Sequence, residues 1–330
     1  MKAIIQREFG QPEVLQLEEL ETFQPKPNEV LIRVVAASVN HYDILSRRGD
    51  FPDVPLPRIV GMDCSGYIEQ YQGDRSDLAI GQAVVVLGTS LGNGGSGGYA
   101  THVCVNQEEV FPIPEGLDLS IATCLAMTYL TAWYVLTERL KVQAGQLLLI
   151  PGVGGGVASA ALQIAQALGV RVIATTSSPV KQQQAKKMGA EACFNYKDAD
   201  FITQIQDWTK GRGVDFVLDA VGGATIQQGL SCLSHRGTLA SIGIVRDSRF
   251  CIDAIAFLSQ EQHLIGVNFG QNNPAQRYKI FLKLAELIKK GQLSTEINRY
   301  FPLAQAAEAH RYVETAGSNR FGKVVLLNDE

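Results

Sequence analysis

Leu147-Leu148-Leu149-Ile150-Pro151-Gly152-Val153-Gly154-Gly155-Gly156-Val157-Ala158 is the stretch that decides the fold. Four apolar residues of strand character run into a glycine cluster. Behind it, Ser159-Ala160-Ala161-Leu162-Gln163-Ile164-Ala165-Gln166-Ala167-Leu168-Gly169 reads as a helix, apolar at helical spacing and stopped by its glycine. Val170-Arg171-Val172-Ile173-Ala174-Thr175-Thr176 then returns to strand character. Strand, glycine turn, helix and strand form the unit that sets a dinucleotide pyrophosphate on a helix N-terminus. There, unpaired N–H groups and the helix dipole favour negative charge. In the best register Val153, Gly155 and Ala158 take the three positions of G-x-G-x-x-G, so the motif departs from the consensus at its first glycine. Glycines at such a junction cost stability unless the backbone must approach something closely. We read a phosphate site.

The end of the second strand bears on which dinucleotide binds. A site for NAD usually carries Asp or Glu about 20 residues after the glycines, on the ribose 2′-hydroxyl. Here the strand ends Thr175-Thr176-Ser177-Ser178-Pro179-Val180-Lys181, with no acid before Glu191. Hydroxyls and an ammonium suit a 2′-phosphate, which a carboxylate would repel. The expected cofactor is NADPH.

At 330 residues, two domains are expected. With 46% hydrophobic residues the composition is that of a soluble globular protein, and no apolar run is seen to approach the roughly 20 residues that span a bilayer. The first eight residues alternate like a strand and lack a signal peptide's apolar core. A net charge of −4 without a Lys/Arg block argues against nucleic acid as a partner. The six cysteines are scattered with no C-x-x-C pair, which encodes neither a zinc ribbon nor a redox motif. Five have small or apolar neighbours and are expected to be buried thiols, consistent with a reducing cytoplasm.

Residues 1–120 look β-rich, with β-branched runs such as Val30–Ala36 and Gln82–Leu87. From about 122 strands and helices alternate. Strands are expected at 147–150, 171–175, 191–194, 214–219, 238–243 and 263–267, with helices at 155–168, 179–188, 200–210, 224–233 and 253–260. That succession predicts an α/β fold with a doubly wound parallel Rossmann sheet. After 268 come a helix near 275–290, a short helix at 304–315 and a last strand at 322–327. This tail is expected to rejoin the first domain. The expected division is 1–121 with 268–330 as a discontinuous β-rich catalytic domain, and 122–267 as the dinucleotide-binding domain.

Seven segments together carry a family resemblance: Phe9-Gly10-Gln11-Pro12-Glu13-Val14-Leu15, Ala37-Ser38-Val39-Asn40-His41-Tyr42-Asp43, Pro57-Arg58-Ile59-Val60-Gly61-Met62-Asp63-Cys64-Ser65-Gly66, Leu130-Thr131-Ala132-Trp133-Tyr134, the glycine turn, Asp219-Ala220-Val221-Gly222-Gly223 and Gly322-Lys323-Val324-Val325-Leu326. Over nearly its full length the chain resembles the medium-chain dehydrogenase/reductase superfamily, in its zinc-free quinone-oxidoreductase branch. The resemblance implies a GroES-like catalytic domain, a cytoplasmic enzyme and a homodimer. Zinc-dependent members hold their catalytic ion with Cys, His and Cys. Asn40 and Met62 stand at the first two of those positions, and segment 127–129 supplies no thiolate. Neither an amide nor a thioether replaces such ligands, so no metal is expected. Without a Lewis acid a simple ketone is hard to reduce, whereas a quinone, enone or enal spreads the developing charge over conjugation. We expect hydride transfer from NADPH to such an acceptor. An enoyl-thioester reductase and a non-catalytic NADPH-binding protein remain open.

The resemblance also implies residue roles. Asn40 would donate its amide to the acceptor oxygen, unless it is only a turn former. Asp43 would fix local geometry or cap a helix. Tyr42 is a candidate proton donor, and His41 faces cofactor phosphate or simply packs. Phe51 stands where several relatives carry Tyr and would wall the substrate pocket with Met62. Thr131 would lie beside the nicotinamide. Gly155, Gly156 and Val157 would form the pyrophosphate turn. Thr176, Ser177, Lys181 and Tyr196 would hold the 2′-phosphate side. Val221, Ile242, Gly243, Ile244, Val267, Asn268 and Phe269 would line the nicotinamide half through their backbone. The glycine-heavy stretch Leu91–Gly98 is read as a flexible rim of the β-rich domain.

Overall fold

The computed structural model describes residues 1–51, 53–92, 96–245, 247–317 and 320–328. The centre of the expected glycine-rich rim, residues 93–95, lies outside them.

The stretch Leu147–Ile150 is a strand buried along its whole length, as an apolar run flanked by two parallel neighbours must be. It sits third in a six-stranded parallel sheet ordered Ala192–Phe194, Arg171–Thr175, Leu147–Ile150, Val214–Asp219, Leu233–Ser241 and His263–Gly266. In chain order that is 3-2-1-4-5-6, the Rossmann arrangement, with its topological switch between Leu147–Ile150 and Val214–Asp219. Ligands gather beyond the carboxyl ends of the strands at such a switch, where the glycine turn emerges. The expected strand at 238–243 begins five residues earlier. Leu233 pairs with Val214, and after an irregularity Thr238 pairs with Phe216. Exposed His235 and Arg236, the latter at φ 59°, hide this start from a reading based on apolar pattern.

The β-rich part holds a sheet ordered Ile297–Pro302, Lys323–Leu327, Glu29–Val39, Ser65–Gln72, Ala83–Val86 and Val110–Pro112, with His102–Asn106 also paired to Glu29–Val39. A smaller sheet joins Leu15–Glu19, Lys2–Gln6 and Arg58–Ile59. Val324 lies opposite Val39, so the last strand of the chain pairs with the central strand of this sheet.

Two helices depart from the sequence reading. His41–Arg48 is a helix begun by Asn40, whose N–H donates to the Asp43 carboxylate, and ended by Gly49 at φ 93°. The second, Leu119–Arg139, is a continuous 21-residue helix with π-helical turns at Leu125–Tyr129 and Val135–Arg139. Its mean hydropathy of 1.5 makes it long and apolar enough to cross a bilayer, contrary to the expectation that no run approaches that length. Two thirds of that stretch is buried inside the protein, which explains an apolar surface all the way round. The helix runs through the expected division at 121/122. Helix Pro274–Lys289 buries Ile280, Phe281 and Leu284 in the core shared with this long helix and the Rossmann sheet.

Arg277 ties the two parts together. Its buried guanidinium forms no ion pair among the described residues and donates to the carbonyls of Leu87, Gly88, Gly270 and Asn272 at 2.8–3.1 Å, over the ring of Phe269. Of the cysteines, Cys64, Cys124 and Cys232 are buried, Cys104 and Cys193 are partly exposed, and Cys251 is exposed, so fewer are sealed than expected.

Candidate active site

Gly152 and Gly154 adopt φ 66° and 122°, conformations that side chains resist. Gly155 precedes helix Gly156–Ala167, and a Cβ added to Gly155 would meet nothing within 4 Å, so this face of the turn is open. A Cβ on Gly152 would lie 2.8 Å from Val221, and one on Gly156 would press on Thr128 and Lys323. The turn is a backbone cradle with side chains packed around its rim. Val157, half-buried, follows in the first helical turn.

Lys181 lies on it, and the Arg320 guanidinium is close enough to shift both Lys181 and His41. Lys181 lies along Gly154, where a Cβ would come 3.3 Å from its Nζ. Burial lowers its pKa, the Arg320 guanidinium lowers it further, and Tyr196 opposes. His41 is pushed down to about 4 by burial, with Arg320 and Arg48 adding to the effect. Among the described residues its buried Nε2 has no hydrogen-bond partner. Arg320 donates to the Gly322 carbonyl, while Gly322 N–H bonds the carbonyl of Gly154. Among the described residues neither Lys181 nor Arg320 pairs with a carboxylate. Lys181 beside the open glycine turn, with Arg320 and the orphaned His41 imidazole next in the same charge cluster, fits a dinucleotide's phosphates.

Ser177 donates to the Tyr196 hydroxyl at 3.2 Å, which brings these two beside Lys181. Thr176 is buried and accepts from Ser178 N–H, so its hydroxyl holds the turn and is turned inward. Ser178 caps helix Pro179–Lys187. Val221 and Gly222 are braced by the Asp219 carboxylate, which accepts from both N–H groups and from Thr225. Ile242 and Val267 continue the row of strand ends, with N–H bonds to Asp219 and Ser241 carbonyls. Gly243 packs against the carbonyl of Ala220, and Ile244 is exposed. Phe269 turns into the core against Tyr134 and Arg277, and its carbonyl is taken by Asn272. Asn268 spends its side chain on Gly270 N–H. Thr131 donates to the carbonyl of Met127, one turn back on the long helix.

At the position of the first zinc ligand the structure corrects the expected role. Asn40 is buried, and its Nδ2 donates to Asp63 at 2.8 Å and to the Ser38 carbonyl at 3.3 Å, while Oδ1 accepts from Lys323 at 2.6 Å. The amide is consumed inside the protein and is not free for an acceptor oxygen. Asp63 also takes the N–H and hydroxyl of Ser38 at 2.7 Å and the hydroxyl of Thr123 at 3.2 Å. Asp43 accepts from Asn40 N–H and from the Tyr99 hydroxyl, which meets His310 at 3.1 Å. Burial, then the neighbouring Asp63, raises Asp43 to about 7, against the opposing pull of Asn40 N–H, Lys323 and Arg58.

Tyr42 stacks on Phe51 with centroids 4.9 Å apart. Burial raises its pKa, so the phenol keeps its proton at neutral pH. Met62 is buried below Gly92. Among the described residues no group of three His, Cys, Asp or Glu could hold a metal. The sequence reading missed Asp63, Lys323 and Arg320. Asp63 and Lys323 lay inside quoted motifs, but nothing local marks them as partners of Asn40, and Arg320 carried no signal.

Comparison with known proteins completes the assignment. Residues 26–115 match the model of the alcohol dehydrogenase GroES-like domain, and residues 156–286 that of the zinc-binding dehydrogenase. Human quinone oxidoreductase is 31% identical across 99% of this chain and 98% of its own length. A mycobacterial protein solved in complex with NADPH is 28% identical with a TM-score of 0.89, covering 99% of this chain and 100% of that one. A structure described as an NAD-dependent alcohol dehydrogenase is 29% identical with a TM-score of 0.88, covering 99% of each. With both family models matched and a relative at this identity along its whole length, the chain belongs to the medium-chain dehydrogenase/reductase superfamily, in its quinone-oxidoreductase-like branch.

Proposed function

We propose that the chain is an NADPH-dependent, zinc-independent oxidoreductase that reduces quinones and other conjugated carbonyl compounds. The observation that carries the reading is Lys181 against the open turn at Gly154–Gly156, coupled through Arg320 to His41, none of the three in an ion pair among the described residues. The pyrophosphate would rest on the N–H groups of Gly155, Gly156 and Val157, with His41 Nε2 beside it. Lys181, Arg320, Ser177 and Tyr196 would hold the 2′-phosphate. When bound, reduced nicotinamide supplies two electrons and a proton to the acceptor. The protein's own part is to orient the acceptor, exclude water and supply the second proton. Tyr42 and Phe51 form a flat aromatic wall for a planar ring, and the protonated Tyr42 hydroxyl is the donor we assign to the acceptor oxygen. Zinc independence is supported by the donor set: an amide already saturated at Asn40 and a buried thioether at Met62. With no Lewis acid in that reading, the acceptor must delocalise its own charge.

The test is NADPH loss, followed beside NADH, with a quinone, a short enone, crotonyl thioester and ethanol paired with the oxidised cofactor. We expect turnover with quinone and enone and a preference for NADPH. Preferred oxidation of ethanol, or equal use of both cofactors, would overturn the reading.

His41 makes cofactor binding pH-dependent. In the free protein it is neutral above about pH 4. A pyrophosphate beside it raises its pKa. Between the two values the complex holds one proton more than the free protein, so affinity falls as pH rises through that window. Calorimetry of NADP⁺ binding at mildly acidic pH, in two buffers of different ionisation enthalpy, should show proton uptake that His41→Gln abolishes.

We also propose a homodimer built on the outer edge of the nucleotide domain. Beside edge strand His263–Gly266, helix Ala254–Ser259 buries none of its residues, with Ile255 82% and Leu258 72% exposed. Such an apolar edge favours a covered state. Light scattering should give twice the monomer mass, and Ile255→Lys with Leu258→Glu should return the monomer.

A further inference from the structure

The buried ammonium of Lys323 is unaccounted for by cofactor binding. The last strand runs antiparallel to Glu29–Val39 with Val324 opposite Val39, so Lys323 and Asn40 meet where that pairing ends. Lys323 is 4% exposed. Its Nζ donates to Asn40 Oδ1 at 2.6 Å and to the Val39 carbonyl at 3.2 Å. An ammonium has three N–H groups, and among the described residues no third acceptor is present. Its stem crosses the start of the cofactor helix, where a Cβ on Gly156 would lie 3.0 Å from Lys323 Cδ. The cation thus lies between the glycine turn and the residue at the first zinc-ligand position.

Its counter-charges are indirect. Asp63 is joined to Lys323 through the Asn40 amide, and Asp43 feels its charge across the cluster without touching it. Among the described residues no carboxylate lies within ion-pair distance of Nζ. Arg58 also acts on Asp43 and adds positive charge to the same cluster. A buried cation with no carboxylate in contact is destabilising. It is also a fixed charge, already desolvated, that stabilises an oxyanion without reorganisation when one forms.

We propose that Lys323 is the positioning residue of the acceptor site: it locks the Asn40 amide and supplies the positive charge that favours a negative oxygen on the reduced acceptor. This rests on the function proposed above, and it accounts for how the site serves an acceptor whose oxygen gains charge before it gains a proton.

The test uses 4-nitrophenol as the probe and the protein without cofactor, reading bound phenolate by its absorbance. In the wild type the bound phenol should titrate about 1–3 units below the free phenol. Lys323→Met should remove that shift, and Lys323→Arg should keep it. If Lys323→Met fails to fold, Lys323→Met with Asp43→Asn also removes the acid that feels the lost cation and should likewise lose the shift. In turnover, Lys323→Met should lower kcat by about 10²-fold or more with the enone, and much less with a quinone. An unshifted phenol in the wild type, an unchanged shift in Lys323→Met, or equal loss with both acceptors overturns the assignment. Absence of any acceptor reduction by the wild type instead sinks the functional reading, which the phenol titration does not measure.

Discussion

Asp63→Ala is expected to lower stability by about 3–5 kcal/mol, because it strips a buried carboxylate from four donors at once. Ser38 N–H, Ser38 hydroxyl, Asn40 Nδ2 and Thr123 hydroxyl all end on Asp63, which is 1% exposed. Each donor left without an acceptor in that interior keeps its desolvation cost. The chain has two domains' worth of core, so the first transition in urea is the one to follow, rather than a single two-state midpoint. The transition should move to markedly lower urea, and the surviving folded protein should lose activity as Asn40 becomes free to turn. Asp63→Asn is the informative companion: it keeps the volume but sets an amide NH₂ against the amide of Asn40. An Asp63→Ala protein with wild-type stability would mean that these four donors find water or one another.

Lys181→Ala combined with Arg320→Ala should weaken NADPH binding by about 10²-fold or more, with NADH affected only slightly. Each charge-assisted hydrogen bond to a phosphate contributes about 1.5–3 kcal/mol. Both cations lack carboxylate partners among the described residues, so removing them leaves no unpaired acid behind. Titration of nicotinamide fluorescence with each cofactor reads the result. The geometry makes the comparison decisive, since Lys181 lies along Gly154 as well as near Tyr196. If NADPH and NADH affinities fall together, Lys181 and Arg320 serve the pyrophosphate and the 2′-phosphate assignment fails.

Much of the fold was legible from local pattern. The run at 147–150, the glycines behind it and the alternating helices to 267 carry their periodicity within a dozen residues. What escaped has specific causes. Helix Leu119–Arg139 is two thirds buried along its apolar stretch, so its apolar residues spread well beyond one face and show no clear stripe. Helix His41–Arg48 is only eight residues long, and its capping Asp43 could equally have been a loop residue. The strand that begins at Leu233 is disguised by charged and left-handed residues.

The site divides in the same way. The glycine turn, Lys181, Ser177 and the absence of an acid after the second strand belong to one βαβ unit, so their chemistry can be read from spacing. The fate of Asn40 cannot. Its amide is closed by Asp63, 23 residues away, and by Lys323, 283 residues away. Sequence alone therefore determined the sheet, the glycine turn and the residue types available. Tertiary structure alone decided which of them are already spent on one another. Hydrogen-bond partners across such distances are chosen by sheet register and domain docking, and a free donor and a saturated one are the same letter until the chain has folded.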